Sequence, residues 1–153
     1  MSKKDPLLTL REKIDSLDLQ IMANISQRAE FAQEVAKVKK NLGDAAYYRP
    51  EREAQVLRRV MESNTGPINN EDMARLFRQI MSTCLALEQP IKVAFLGPEG
   101  TFTQEAALKH FGASAVTVPM SAIDEVFREV SAGACHYGVV PVENSTEGVI
   151  SHT

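Results

Sequence analysis

The sequence has few of the residue types that mark several protein classes. Its two cysteines, Cys84 and Cys135, are too few for a disulfide framework, and no Cys or His spacing predicts a zinc site. No apolar stretch approaches the roughly 18 residues of a membrane span, and the first residues show no apolar signal region. We therefore expect a cytoplasmic protein with no metal site and no membrane partner.

Neither sign of charge is in strong excess. The net charge is −3, with 14 Lys and Arg against 13 Asp and Glu in residues 1–90 and 3 against 7 in residues 91–153. Neither part has the basic excess of a nucleic-acid-binding protein, so we expect no nucleic-acid partner. The composition, 44% hydrophobic and 24% charged, is typical of a folded globular protein.

The hydrophobic pattern changes at Pro90, which predicts two domains, residues 1–90 and 91–153. In the first domain, apolar residues recur every three or four positions, which is typical of helices. Pro50 and Pro90, together with Gly66-Pro67, mark helix boundaries. The sequence predicts three helices and no strand, with the first helix over about 5–41, the second over 50–63, and the third from Asn69 or Asn70 to about 88.

Residues 91–153 show short β-rich runs that alternate with helical segments. The runs cover about 92–96, 115–118 and 137–142, and a helix capped by Thr101 or Thr103 follows the first. Ser121 and Asp124 have the spacing of a capping box for a second helix. This order predicts a parallel α/β sheet. With about 60 residues and three strands, we expect the domain to be incomplete.

The first helix is too long for a monomer of this size. At 1.5 Å per residue it forms a rod of roughly 50 Å, whereas a compact domain of 90 residues has a radius of gyration of about 12–13 Å. Its apolar stripe therefore needs a partner chain, and an antiparallel homodimer is the simplest source.

Several charged residues interrupt the apolar stripes. Arg28 and Lys39 lie within about 20° of each other around an ideal helix, but Arg11 lies about 100° away. One straight helix cannot easily direct all three cations into one pocket, and a partner chain can supply the third. Each such residue alone is most often a surface ion.

The motifs of the first domain resemble those of the all-helical chorismate mutase family. They are Leu7-Leu8-x-Leu10-Arg11-Glu12-Lys13-Ile14-Asp15-x-Leu17-Asp18, Arg28, Val35-Ala36-x-x-Lys39 and Pro50-Glu51-Arg52-Glu53. The resemblance covers nearly all of residues 5–90. It implies an intertwined dimer whose two pockets each receive Arg11 from the other protomer, and a reaction that converts chorismate to prephenate without a cofactor.

The resemblance also implies a role for each matching residue. Arg11 and Arg28 would bind the two substrate carboxylates, because guanidinium groups form paired hydrogen bonds with carboxylates. Lys39 would donate to the ether oxygen that leaves. Glu53 would accept from the ring hydroxyl, and Arg52 would support the pocket wall.

Three positions depart from the common bacterial pattern. Arg49 stands where Asp is frequent, and Cys84 stands where Ser is common, which replaces a good hydroxyl donor with a weaker thiol. Glu88 stands where Gln is usual. Gln can donate to the ether oxygen at any pH, whereas Glu donates only when it is protonated.

The second domain resembles the start of prephenate dehydratase, which suggests a bifunctional enzyme of phenylalanine biosynthesis. The similar segments are residues 93–103 and 140–148. They make Thr101, Phe102, Glu143, Asn144 and Ser145 candidates for a prephenate cleft, since open α/β sheets bind ligands beyond the carboxyl ends of their strands. The family's Thr-Arg-Phe motif and phenylalanine-sensing domain do not occur in this sequence, which implies that this chain lacks the second activity.

Two other interpretations compete with an enzyme. The first domain could be a non-catalytic dimerisation module fused to an α/β ligand-binding regulatory domain, or the chain could be a coiled-coil adaptor. The cations inside the apolar stripe count against the first alternative, because a dimerisation rod has no use for them. The prolines and glycines that interrupt the helical pattern count against a coiled-coil adaptor, which needs long continuous helices.

Overall fold

The computed structural model of the protein describes residues 5–43, 48–144 and 148–149. Its elements, in chain order, are α1 (Pro6–Asn41), α2 (Pro50–Ser63), α3 (Asn70–Ala86), β1 (Lys92–Leu96), α4 (Phe102–Phe111), β2 (Val116–Met120), α5 (Ile123–Ser131), β3 (Tyr137–Val139), β4 (Glu143–Asn144) and β5 (Gly148–Val149). The predicted architecture, a helical part followed by a partial α/β part with a parallel sheet, is confirmed. We call these parts the helical half and the α/β half.

Local capping signals set the starts of the helices in the helical half. The Asp5 side chain accepts a hydrogen bond from the backbone N–H of Leu7 at 3.0 Å, and Pro6 occupies the first helical position of α1. Pro50 has the same place in α2. Of the two candidate caps for α3, Asn69 is the one used, since its side chain accepts from the N–H of Asp72 at 2.8 Å.

The long helix α1 buries none of its residues in a single chain. Its 36 residues extend over about 54 Å. The α1 stripe, which we define as Leu10, Ile14, Leu17 and Ile21, leaves each side chain more than half exposed. By contrast, α2 and α3 pack against each other and contribute the buried Leu57 and Ala74. The α1 stripe therefore stays largely uncovered by the described residues of a single chain.

The α/β half is built on a three-stranded parallel sheet with the order β2-β1-β3. Val93, Ala94 and Phe95 of the central strand β1 are fully buried. Because successive side chains point to opposite faces, Val93 packs in one cluster with Ala107 of α4, and Ala94 packs in another with Val126 of α5. One helix thus covers each face of the sheet.

The sequence predictions for the α/β half need two corrections. The predicted capping box between Ser121 and Asp124 is wrong, because the N–H and hydroxyl of Ser121 donate to Glu125 Oε2 at 2.9 and 2.7 Å. These hydrogen bonds lower the pKa of Glu125. The third parallel strand ends at Val139 rather than 142, and residues 143–144 pair antiparallel with 148–149.

The two halves meet in part through polar contacts between α3 and the turn after α4. Gln79 Oε1 accepts from the N–H of Ala113 at 2.9 Å, and Gln79 Nε2 lies 3.3 Å from Ser114 Oγ. Gly112 begins the turn with φ +86°, and a Cβ at this position would overlap Ser82. Gly112 is therefore required both for the backbone conformation of the turn and for the close approach of the two halves.

Candidate functional site

One face of α1 forms the wall of a cavity of about 390 Å³. Arg28 and Lys39 stand at the two ends of this wall, and both are half-buried. Apolar residues separate them at helical spacing, namely Phe31, Ala32, Val35 and Ala36. The structure thus brings Arg28 and Lys39 to one cavity with an apolar wall between them.

The start of α2 and the end of α3 supply the opposite walls. Arg49, Arg52 and Glu53 line the cavity from the first turn of α2 and the residue before it. Cys84 of α3 is buried and has a free thiol. Glu88 follows the end of α3 and is exposed, which places it at the rim of the cavity.

The lining gives the cavity a positive balance. It contains four cationic side chains and two anionic ones, which are Arg28, Lys39, Arg49 and Arg52 against Glu53 and Glu88. Most other lining residues are apolar, and no histidine occurs among the lining residues that the structure describes. Such a site suits a small ligand with an apolar body and two negative charges, since the excess cations can neutralise it.

The Glu53 carboxylate interacts with two other residues of the chain. Arg78 Nε on α3 lies 3.5 Å from Glu53 Oε1, and the Glu53 side chain is only 16% exposed. The hydroxyl of Tyr48 makes a hydrogen bond with the Glu53 side chain. Burial, followed by the negative charge of Glu53, raises the pKa of Tyr48 above its usual range. The hydroxyl therefore keeps its proton and donates to the carboxylate.

Arg11 is the one predicted mutase residue that does not line the cavity. It precedes Arg28 by seventeen positions on the same helix, which corresponds to about 26 Å along the axis. The other predicted residues do line it, and they are Arg28, Lys39, Arg49, Arg52, Glu53, Cys84 and Glu88. A single chain thus gathers the whole predicted set except Arg11.

Sequence reasoning did not assign ten of the cavity-lining residues to the site, and three of these ten lie outside α1, α2 and α3. Ile91 and Phe111 come from the α/β half, and Tyr48 comes from the connection between α1 and α2. Tyr48 stands two residues before the Pro50-Glu51-Arg52-Glu53 motif, so its position offered a signal. No local pattern connects Phe111 to the helical half.

The candidates for a prephenate cleft follow two neighbouring parallel strands. Thr101 comes after β1, and its hydroxyl lies 3.4 Å from the carbonyl oxygen of Leu96, while the Phe102 side chain is 89% exposed. Glu143 and Asn144 form β4, which follows β3. Ser145 lies outside the described residues. Both segments therefore leave the sheet at the carboxyl-terminal ends of its strands.

Residues 5–43, 48–144 and 148–149 contain no group of three or more His, Cys, Asp or Glu side chains that could hold a metal ion. None of the helices in these ranges combines the length and hydrophobicity that crossing a membrane requires.

Comparison with known families agrees with the division of the fold. The model of chorismate mutase type II matches residues 10–89, and the model of prephenate dehydratase matches residues 93–153. The first match covers more than half of the chain, so the chain belongs to the type II chorismate mutase family. This membership favours an enzyme over a non-catalytic dimerisation module.

Individual relatives carry the same names. The chain is 64% identical over its whole length to a bifunctional chorismate mutase/prephenate dehydratase of Stutzerimonas stutzeri, and 62% identical to one of Pseudomonas aeruginosa. It spans 43% of the length of each of these relatives. A chorismate mutase structure from Thermus thermophilus shares 29% identity with a TM-score of 0.53, covering 56% of this chain and 96% of that one.

Proposed function

We propose that the chain is a chorismate mutase that converts chorismate to prephenate and works as a cytoplasmic homodimer. The observation that carries the proposal is the cavity that Arg28 and Lys39 line together with the charged residues at the start of α2 and Glu88 just beyond α3. It lies in a helical half that matches the chorismate mutase family. The two free cysteines fit a reducing compartment.

The reaction makes modest chemical demands on this cavity. Within one substrate molecule, a carbon–oxygen ether bond breaks while a carbon–carbon bond forms, so no nucleophile, proton transfer or cofactor takes part. The enzyme must hold a dianion in a compact conformation and stabilise the negative charge that develops on the ether oxygen. Fixed cations on an apolar wall meet both demands.

We propose for the cavity-lining residues the roles that the family resemblance implies. Arg28 binds one carboxylate, and Arg11 of the partner subunit binds the other. Lys39 donates to the ether oxygen, and Glu53 accepts from the ring hydroxyl. Arg52 and Arg49 complete the cationic wall, Cys84 closes the buried side, and Glu88 stands at the rim near the ether oxygen.

The uncovered α1 stripe supports the homodimer. Its side chains are more than half exposed in one chain, and Arg11 lies on the same half of the helix, about 26 Å from Arg28. In an antiparallel pair, the first half of one α1 lies beside the second half of the other. That arrangement covers the stripe and brings the partner's Arg11 to the cavity.

For residues 91–153 we propose the first part of a prephenate dehydratase domain, as distinct from a mutase domain over residues 1–90. The match of residues 93–153 to that family supports this assignment. Prephenate would bind beyond the strand ends, near Thr101, Phe102, Glu143, Asn144 and Ser145.

The test of mutase activity is the loss of chorismate absorbance with the purified chain. We expect Lys39→Ala to lower kcat by about 100-fold or more, the scale seen when a donor to a developing oxyanion is removed. Lys40→Ala is the matched control, because Lys40 is an exposed neighbour that does not line the cavity. Wild-type turnover no faster than the uncatalysed reaction would refute the proposal.

A further inference from the structure

Tyr48 joins the helical half to the α/β half through its aromatic ring. Its ring centroid lies 5.9 Å from that of Phe111 on α4 and 5.4 Å from that of Tyr137 on β3. Phe111 and Tyr137 also contact each other, with centroids 5.0 Å apart. We call these three rings the aromatic junction. Two of its members belong to the α/β half, so that half determines where the Tyr48 ring lies.

The other end of Tyr48 reaches the cavity. Its hydroxyl donates to Glu53, the carboxylate that Arg78 also approaches from α3. A carboxylate near one cation can still rotate, whereas a second partner in a different direction restricts its orientation. Tyr48 thus lies between the aromatic junction on one side and a residue of the proposed substrate site on the other.

The α/β half also touches the cavity directly. Ile91 and Phe111 line it together with Tyr48. Phe111 belongs to the buried cluster of the α/β half that includes Val93 and Ala107, so its position depends on the packing of that half. The cavity therefore has one wall that the helical half does not supply.

We propose that Tyr48 is a positioning residue of the mutase pocket. It orients Glu53 toward the ring hydroxyl of the substrate, and the α/β half, through Phe111 and Tyr137, holds Tyr48 in place. The inference rests on the mutase function proposed above. It means that the second half of the chain acts on the reaction of the first half without touching the reacting bonds.

The decisive variant is Tyr48→Phe in the full chain, because it removes the hydroxyl and keeps the ring in the aromatic junction. We expect kcat/KM for chorismate to fall about 10-fold, the lower end for a hydrogen bond to a charged group. The same substitution in a Glu53→Ala background, which has no acceptor for the hydroxyl, should then have little further effect, because the two residues act as one unit. A general loss of packing would instead lower activity in both backgrounds.

Phe111→Leu provides a second test that keeps most of the buried volume. We expect it to raise the KM for chorismate, whereas Phe127→Leu, a matched control at a half-exposed phenylalanine on α5, should leave KM unchanged. Thermal unfolding of each variant reports whether the fold is kept.

The outcomes separate this inference from the mutase function itself. An active wild-type chain in which Tyr48→Phe has no effect would overturn the positioning role and leave the mutase function standing. So would a Tyr48→Phe effect that is the same with and without Glu53→Ala. Equal effects of Phe111→Leu and Phe127→Leu would overturn the part assigned to the α/β half. An inactive wild-type chain would overturn both proposals.

Discussion

Arg11→Ala and Arg28→Ala, made in separate chains, test whether one pocket draws its arginines from two protomers. The two positions lie about 26 Å apart along α1, so one straight helix cannot bring both guanidinium groups to one small substrate. Loss of one partner of a desolvated charge pair costs about 2–5 kcal/mol, or roughly 30- to 5,000-fold in kcat/KM. We expect each variant alone to show this loss.

Mixing the two inactive chains should restore activity by a calculable amount. After unfolding and refolding an equimolar mixture, about half of the symmetric dimers are heterodimers, and each has one pocket with both arginines intact. About one quarter of all pockets should then be wild type, and the chorismate absorbance assay should recover about one quarter of the wild-type rate.

A matched pair of variants sharpens this result. Arg28 and Lys39 line the same cavity of one chain, so mixing Arg28→Ala with Lys39→Ala should restore nothing. Mixing Arg11→Ala with Lys39→Ala should recover activity as the first pair does. If the first mixture contains heterodimers by mass spectrometry and stays inactive, the pocket does not take Arg11 from the partner.

Three further predictions follow from single contacts. Glu88→Gln should raise kcat/KM by about 10-fold in the chorismate absorbance assay at neutral pH, because an amide donates to the ether oxygen where a carboxylate repels it. Asn69→Ala should lower the free energy of unfolding by about 1 kcal/mol in a denaturant titration, because the N–H of Asp72 loses its acceptor. Glu125 has a lowered pKa in the folded state, so its hydrogen bonds with Ser121 stabilise the fold above the ordinary pKa of 4.5 and lose effect as the pH falls through the folded value. Glu125→Gln should therefore lower the melting temperature at neutral pH, and a Tm series should show the difference closing in acid.

Local signals explain why the helical half could be predicted well from the sequence. Pro50 starts α2 as expected, and Asn69, one of the two predicted N-cap residues, caps α3. The placement of Arg28 and Lys39 on one face follows from helical geometry, which depends only on their spacing. Helix periodicity and capping act over a few residues, and the sequence displays them directly.

Two features of the structure could not be predicted from local sequence patterns, namely the hydrogen-bond partner of Ser121 and the contact between Tyr48 and Phe111. The sequence spacing predicts a capping box between Ser121 and Asp124. Because α5 begins at Ile123, the Ser121 hydroxyl instead donates to Glu125. The contact between Tyr48 and Phe111 joins positions that are 63 residues apart. Such contacts form only when the two halves pack together, and no hydrophobic periodicity or motif in a single sequence predicts them.

The uncovered α1 stripe also bears on how the chain folds and survives in the cell. If its apolar side chains meet water until a second chain arrives, association becomes part of folding, and the melting temperature should rise with protein concentration. Newly made chains would then pass through a stage in which an apolar rod is open to any other apolar surface. The rate at which chains find each other would decide how much protein matures and how much aggregates.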